Sequence, residues 1–178
     1  MIRKIYIALM FTVLAGTSFA QVKSTVTKST VTFKIKNLGI NTSGNFSGLQ
    51  ASIQFKPTDL ATSTIEASVE TATVNSDNTM RDDHLKNEDY FDVAKYPKIT
   101  FKSVSFKHKS GNNYTGDFSV TIKDKTKVIE VPFTYTETDN AGVFNSSFKI
   151  LRSDFGIGGK SMVLSNEATV NINTEVSK

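Results

Sequence analysis

From residue 31 onward, apolar and polar residues alternate with a period of two in run after run, and no other feature of the chain limits its fold so strongly. Val31, Phe33 and Ile35 are separated by Thr32 and Lys34; Leu49, Ala51, Ile53 and Phe55 are separated by Gln50, Ser52 and Gln54. Successive side chains of an extended strand point to opposite faces, so each such run buries one face and wets the other. The pattern resumes at Ile65, Ala67 and Val69, at Ile99 and Phe101, and from Tyr114 through Gly116, Phe118 and Val120 to Ile122. It returns in Ile129, Val131, Phe133 and Tyr135, then in Phe144, Ser146, Phe148 and Ile150, and last in Ala168, Val170 and Ile172. Eight strands are predicted. Between Phe101 and Val104 the apolar set jumps from odd to even positions, as a β-bulge would make it do. Turn formers separate most runs: Gly39 and Gly44, Pro57 to Asp59, Ser110 to Asn113, and Asp139 to Gly142.

One segment breaks the rhythm. Thr79 to Tyr90 lacks β-branched residues after Thr79 and holds good helix formers, which predicts a short helix between the third and fourth strands, capped by Asn78 or Thr79. Meandering antiparallel strands must also deal with their edges, and closure removes them. The fold class read from these signals is therefore all-β, an eight-stranded antiparallel barrel with one helix. At that size a barrel either fills itself with side chains or holds one small ligand, and both alternatives stand at this point.

The N-terminus reads as an export signal. Arg3 and Lys4 precede the apolar run Ile5 to Ala15, and Ser18-Phe19-Ala20 supplies a small-x-small cleavage site after Ala20. The run is shorter than the roughly 20 residues of a membrane-spanning helix. With no cysteine in the chain, neither a disulfide nor an N-terminal lipid-modified Cys is available. The expectation is a signal peptide over residues 1–20 and one domain over 21–178, periplasmic or secreted and without stable membrane insertion. Without Arg3 and Lys4, the 21 basic residues fall to 19 against 17 acidic ones, a formal +2. The lysines are spread singly, which speaks against nucleic acid or an anionic membrane surface as the main partner.

Catalytic constellations are missing from the sequence. His84 and His108 are the only histidines, so zinc-type spacing is absent, and no Gly-x-Ser-x-Gly elbow occurs. Arg81, Asp82 and His84 fall within four residues, yet on a helix they fan around the axis instead of converging. Asp82 and Asp83 suit the positive end of the helix dipole; Arg81 is expected to pair with a neighbouring carboxylate or to hold the helix to the barrel, with headgroup contact at the barrel mouth as the alternative. Gly156, Gly158 and Gly159 predict a flexible rim loop, because their spacing is wrong for a phosphate cradle. Arg152 shares the parity of Phe148 and Ile150, so it is expected to point inward, where a charge needs either an acidic side chain or a ligand phosphate as its counterpart.

Met80-Arg81-Asp82-Asp83-His84-Leu85, then Tyr90-Phe91-Asp92, then Tyr96-Pro97-Lys98-Ile99-Thr100-Phe101 together resemble the signature region of the YceI-like family. Val31 to Ile35, Gly44-Asn45-Phe46 and Arg152-Ser153-Asp154-Phe155-Gly156 extend the likeness over nearly the whole domain. Two positions depart from the family pattern: Tyr90 stands where Phe is common, and Lys123-Asp124 where a turn glycine is. The resemblance implies a lipocalin-like barrel with a hydrophobic pocket, a long-chain isoprenoid or fatty lipid as ligand, no further cofactor, no catalysis, and compatibility with a homodimer. Eleven Phe residues follow the signal segment, most of them at alternating strand positions. The expected ligand-binding set is Phe33, Ile35, Phe46, Leu49, Ile53, Val69, Phe101, Phe118, Val120, Phe133, Phe144, Phe148 and Ile150, with Arg81, His84 and Arg152. The expected function is sequestration or transport of a polyisoprenoid, such as an isoprenoid quinone or polyprenyl phosphate. The alternative is an envelope stress-response interaction module with a filled barrel. A lipid-processing enzyme using His84 and Asp82 ranks last.

Overall fold

Alternation becomes strand wherever it was strong. The computed structural model describes residues 24–177, so the expected signal peptide lies outside the described residues. The strands are β1 (Val26–Asn37), β2 (Ile40–Phe46), β3 (Gln50–Gln54), β4 (Thr64–Glu70), β5 (Lys98–Ser110), β6 (Asn113–Ile122), β7 (Lys125–Glu137), β8 (Ala141–Leu151) and β9 (Leu164–Ser177). All neighbours are antiparallel, in the order β2-β1-β9-β8-β7-β6-β5-β4-β3, and the sheet curls into a half-barrel. The all-β, lipocalin-like fold class therefore holds.

The strand count is nine and not the predicted eight, because β2 carries no periodic signal. Its core, Asn41-Thr42-Ser43-Gly44, is entirely polar or glycine. As an edge strand it takes its order from β1, through a ladder from Asn37↔Ile40 to Val31↔Phe46. The predicted bulge is present in β5, where the register shifts between Ser103 and Ser105 and leaves Val104 exposed. The predicted helix, α1 (Thr79–Lys86), follows β4, and the Asn78 side chain caps it by accepting from the Arg81 N–H at 2.9 Å.

The edges β2 and β3 are not joined by a ladder. The segment before α1 bridges part of the gap: the N–H groups and carbonyls of Asn45 and Asn75 exchange hydrogen bonds of 2.8 and 3.0 Å. That approach demands glycine at position 44, since a Cβ there would lie 2.5 Å from the Phe33 ring and 2.7 Å from the Asn75 carbonyl. Phe33, Phe46 and Phe91 continue the closure as a chain of ring contacts, at centroid separations of 5.8 and 5.4 Å.

Antiparallel connectivity gives the barrel two unlike ends. One carries the β1–β2 turn, the long β4–β5 connection with α1, the β6–β7 turn and the β8–β9 loop; the other carries the β3–β4, β5–β6 and β7–β8 links. The second end is closed by rings. Phe55, just beyond β3, lies 5.0–5.5 Å from Phe106, Tyr114, Phe133, Tyr135 and Phe144, nearly all edge-to-face. Each such pair contributes about 0.5–1.5 kcal/mol beyond its buried area, so this end is a rigid floor.

The floor contains a group that makes stability depend on alkaline pH. Burial, followed by the nearby Glu137 carboxylate, pushes the Tyr135 hydroxyl up to about 12 from 10.0. Below pH 10 the phenol is neutral in both folded and unfolded chains, and its contribution is fully present. Between pH 10 and about 12 only the unfolded chain releases the proton, so stability falls with rising pH. Tyr135→Phe keeps the ring contacts and removes this titration. Its melting temperature should fall less than that of the wild type between pH 9 and pH 11, as followed by circular dichroism.

Candidate functional site

Between the aromatic floor and the helix-bearing end lies a cavity of about 450 Å³. Protein interiors seldom hold voids larger than a water molecule, so this is no packing defect; it falls in the range of small-molecule sites, roughly 300–1,000 Å³. The inward rows of all nine strands make its wall, chiefly from aliphatic and aromatic side chains. All sixteen residues that the sequence nominated line it: Phe33, Ile35, Phe46, Leu49, Ile53, Val69, Phe101, Phe118, Val120, Phe133, Phe144, Phe148, Ile150, Arg81, His84 and Arg152. Others were not nominated. Ile122, Val131, Ala168, Val170 and Ile172 belong to alternating runs and were legible there, whereas Leu85, Phe91 and Ile157 lie outside strands, where a period of two has no meaning.

The helix-bearing end is organised by two arginines, and neither has the carboxylate partner that the sequence offered. Arg81 was expected to pair with a neighbouring carboxylate or to hold the helix to the barrel, with headgroup contact at the barrel mouth as the alternative; among the described residues no carboxylate pairs with it. Instead its Nε donates to the Ser76 hydroxyl at 2.7 Å and its Nη2 to the Ser76 carbonyl at 2.5 Å. Asp82 meets the same serine, accepting from its N–H at 2.8 Å and from its hydroxyl at 2.5 Å. One buried serine thus links both charged side chains, and a short loop position that sequence periodicity ignores decides where the guanidinium goes. Arg81 and His84 both line the cavity, and the His84 ring lies 4.9 Å from that of Tyr90.

Arg152 was expected to face an acidic side chain or a ligand phosphate. It does point inward and is only 5% exposed, yet its partners are backbone carbonyls. Nε donates to Ser165 at 2.9 Å; Nη1 donates to Ile157, Gly158 and Gly159 at 2.8, 3.0 and 2.5 Å; Nη2 donates to Leu164 at 3.3 Å. Spread along a planar fork of five N–H groups, the charge is satisfied by dipoles alone. The glycine loop therefore turns carbonyls, and not amides, toward its central charge, the opposite of a phosphate cradle.

That loop fills a wedge in the wall. The β7–β8 ladder stops at Phe133↔Ser146, while β8 runs on to Leu151↔Glu167 against β9. A 3₁₀ turn, Arg152–Phe155, occupies the opening and buries Phe155 to 1% exposure, with Ile157 beside it. Gly158 then passes the helix segment at close range: its N–H donates to the Asp89 carbonyl at 2.6 Å, and a Cβ there would sit 2.7 Å from the Tyr90 ring. At φ +68° the position also suits glycine conformationally.

Substituting Arg152 by Met keeps most of its volume but leaves five carbonyls without their donor. Urea unfolding should show a loss of at least about 2 kcal/mol, with Arg152→Lys intermediate because one ammonium cannot reach them all.

A family model described as a YceI-like domain matches residues 23–176. A UPF0312 protein of Azotobacter vinelandii is 31% identical over 134 residues, covering 71% of this chain and 70% of its own length. A UPF0312 protein of Yersinia pestis (strain Pestoides F) is 29% identical over 160 residues, covering 84% and 82%. Among solved structures, BcnA of Burkholderia cenocepacia superposes with a TM-score of 0.79 at 25% identity, over 83% of this chain and 95% of that one. A polyisoprenoid binding domain from Saccharophagus degradans superposes with a TM-score of 0.68, over 87% and 97%; at 14% identity it is a likeness of fold.

Proposed function

The chain belongs to the YceI-like family, and on that premise we propose that it sequesters and carries an amphipathic lipid, specifically a polyisoprenoid, with the apolar tail inside the barrel. The observation that carries the reading is the 450 Å³ apolar cavity, floored by rings at one end and fringed by polar groups at the other. Apolar walls with no partner across the cavity forgo the dispersion contacts that a close-packed interior makes. Water would find few partners on such walls. A hydrocarbon tail gains about 0.8 kcal/mol per buried CH₂, so one five-carbon isoprene unit yields roughly 4 kcal/mol before ordering costs. The polyisoprenoid assignment of the Saccharophagus degradans domain belongs to that protein; the cavity's size and lining are what make the same class fit here.

The headgroup stays at the helix-bearing end. Arg81 commits Nε and Nη2 to Ser76, so its Nη1 is uncommitted in those bonds, and His84 stands one helical turn away. A quinone oxygen or a phosphate would be met there by N–H donors. Arg152, saturated by carbonyls, shapes the mouth without reading the ligand. The proposed setting is the periplasm or the exterior, in keeping with the export signal read over residues 1–20. The alternative of a filled barrel working through its outer surface sits poorly with a cavity of this volume.

Native mass spectrometry of protein purified without detergent tests the proposal, followed by titration with prenyl alcohols. Retained lipid or saturable prenyl binding is expected. Ala67→Trp would place the chain's only tryptophan on the cavity wall and should weaken prenyl binding at least about tenfold while strand circular dichroism persists. Wild-type protein that neither retains a lipid nor binds prenyl alcohols or fatty acids sinks the reading.

A further inference from the structure

The helix-bearing end exposes large apolar side chains where folding gives them no reason to be. In the β1–β2 turn, Leu38 and Gly39 have φ of +52° and +79°, both left-handed, the pattern of a hairpin that favours Asn-Gly. Leucine is disfavoured in that region, and at 72% exposure Leu38 gains no burial in return. Ile40 next to it is also 72% exposed. The Leu38 N–H donates to the Val163 carbonyl at 2.9 Å, which lays this turn against the β8–β9 loop, where Met162 is fully exposed and Val163 half exposed. These four side chains form one lip. The lip borders the cavity, since Asn37, Ser161, Val163 and Leu164 also line it.

The two chain segments that form the lip carry charge of one sign, although the acidic stretch Glu88–Asp89 reaches the same loop through the Asp89 carbonyl. Residues 34–46 and 156–166 contain Lys34, Lys36 and Lys160, all exposed, and not a single Asp or Glu. Of the flanking carboxylates, Asp154 and Glu167, the latter is engaged by Lys149 at 2.8 Å. Exposed aliphatic and thioether side chains beside exposed lysines match an anionic bilayer surface, with the apolar groups entering the headgroup boundary and the ammonium groups meeting phosphates. An exposed leucine at a left-handed turn position points to use of that residue, because asparagine would relieve the turn.

We propose that the lip formed by Leu38, Ile40, Met162 and Val163 docks the protein on an anionic phospholipid membrane, with the cavity mouth facing the bilayer. The inference deepens the lipid-carrier reading and rests on it for the cargo. Co-sedimentation with phosphatidylcholine vesicles, with and without phosphatidylglycerol, tests it using the double variant Leu38→Asn, Met162→Gln. Wild-type protein should sediment with the anionic vesicles and be released by added salt. The variant should bind at least about tenfold less while melting no lower than the wild type. Absence of wild-type binding to anionic vesicles at low salt overturns the proposal, as does undiminished binding by the variant. So does a wild-type dimer in solution that the variant abolishes while vesicles are ignored, since a second copy would then be what covers the lip. The vesicles contain no prenyl chain, so the two readings fail separately. Uptake of prenyl alcohol from solution without vesicle binding sinks docking alone; vesicle binding without prenyl uptake supports docking and sinks the carrier.

Discussion

Five backbone carbonyls converge on one point at the helix-bearing end, in a region with little access to water, and they can do so only because the Arg152 guanidinium stands among them. Unpaired carbonyls in that setting would each incur a desolvation penalty, and their dipoles would repel one another. Much of the molecule follows from this contact. The loop that Arg152 gathers places Phe155 and Ile157 in the wedge where β8 leaves β7, and it presses Gly158 against Tyr90 and the Asp89 carbonyl. Through Tyr90 it meets His84 and the helix; through Val163 it meets the Leu38 turn. One buried side chain therefore sets the wall, the cover and the lip of a single cavity.

The two ends of the barrel divide stability from function. Edge-to-face rings around Phe55 consolidate the floor, where five aromatic partners surround one ring. At the other end the ring contacts of Phe33, Phe46 and Phe91 are joined by polar ties. There the links are backbone hydrogen bonds through loops, such as those between Asn45 and Asn75, with single glycines allowing close approach. The two ends of the cavity are thus held by different means, ring packing at the floor, and at the other end loop hydrogen bonds together with the buried Phe91, Phe155 and Ile157.

How much of this was legible in the sequence depended on whether a residue belonged to a regular element. The inward rows of eight strands, the bulge at Val104 and the Asn78-capped helix were all readable, because periodicity and capping are local rules. Strand β2 was invisible, since a polar edge strand owes its order to its neighbour's ladder and not to its own pattern. The partners of both arginines were also unreadable. Ser76 and the carbonyls of residues 157–165 are brought to them by loop geometry, and a rule seeking a carboxylate for every buried cation passes over backbone dipoles. Phe91 and Ile157 escaped for the same reason: they reach the cavity from loops that tertiary structure positions.

The arrangement of polar and apolar groups along the cavity also gives the proposed ligand a direction. A tail entering first meets Phe118, Val120, Phe133 and Phe144 on its way to the floor, and no charged side chain faces it there. A headgroup entering first would have to leave water for that same apolar depth, at a cost no donor repays. The tail-inward orientation is thus fixed by desolvation more than by any specific contact. Carbon that exceeds the 450 Å³ available and leaves the cavity beside Val163 would find apolar cover on Leu38, Ile40 and Met162. Exposed side chains that burden the free protein would then be the ones that continue the cavity outward when it is loaded.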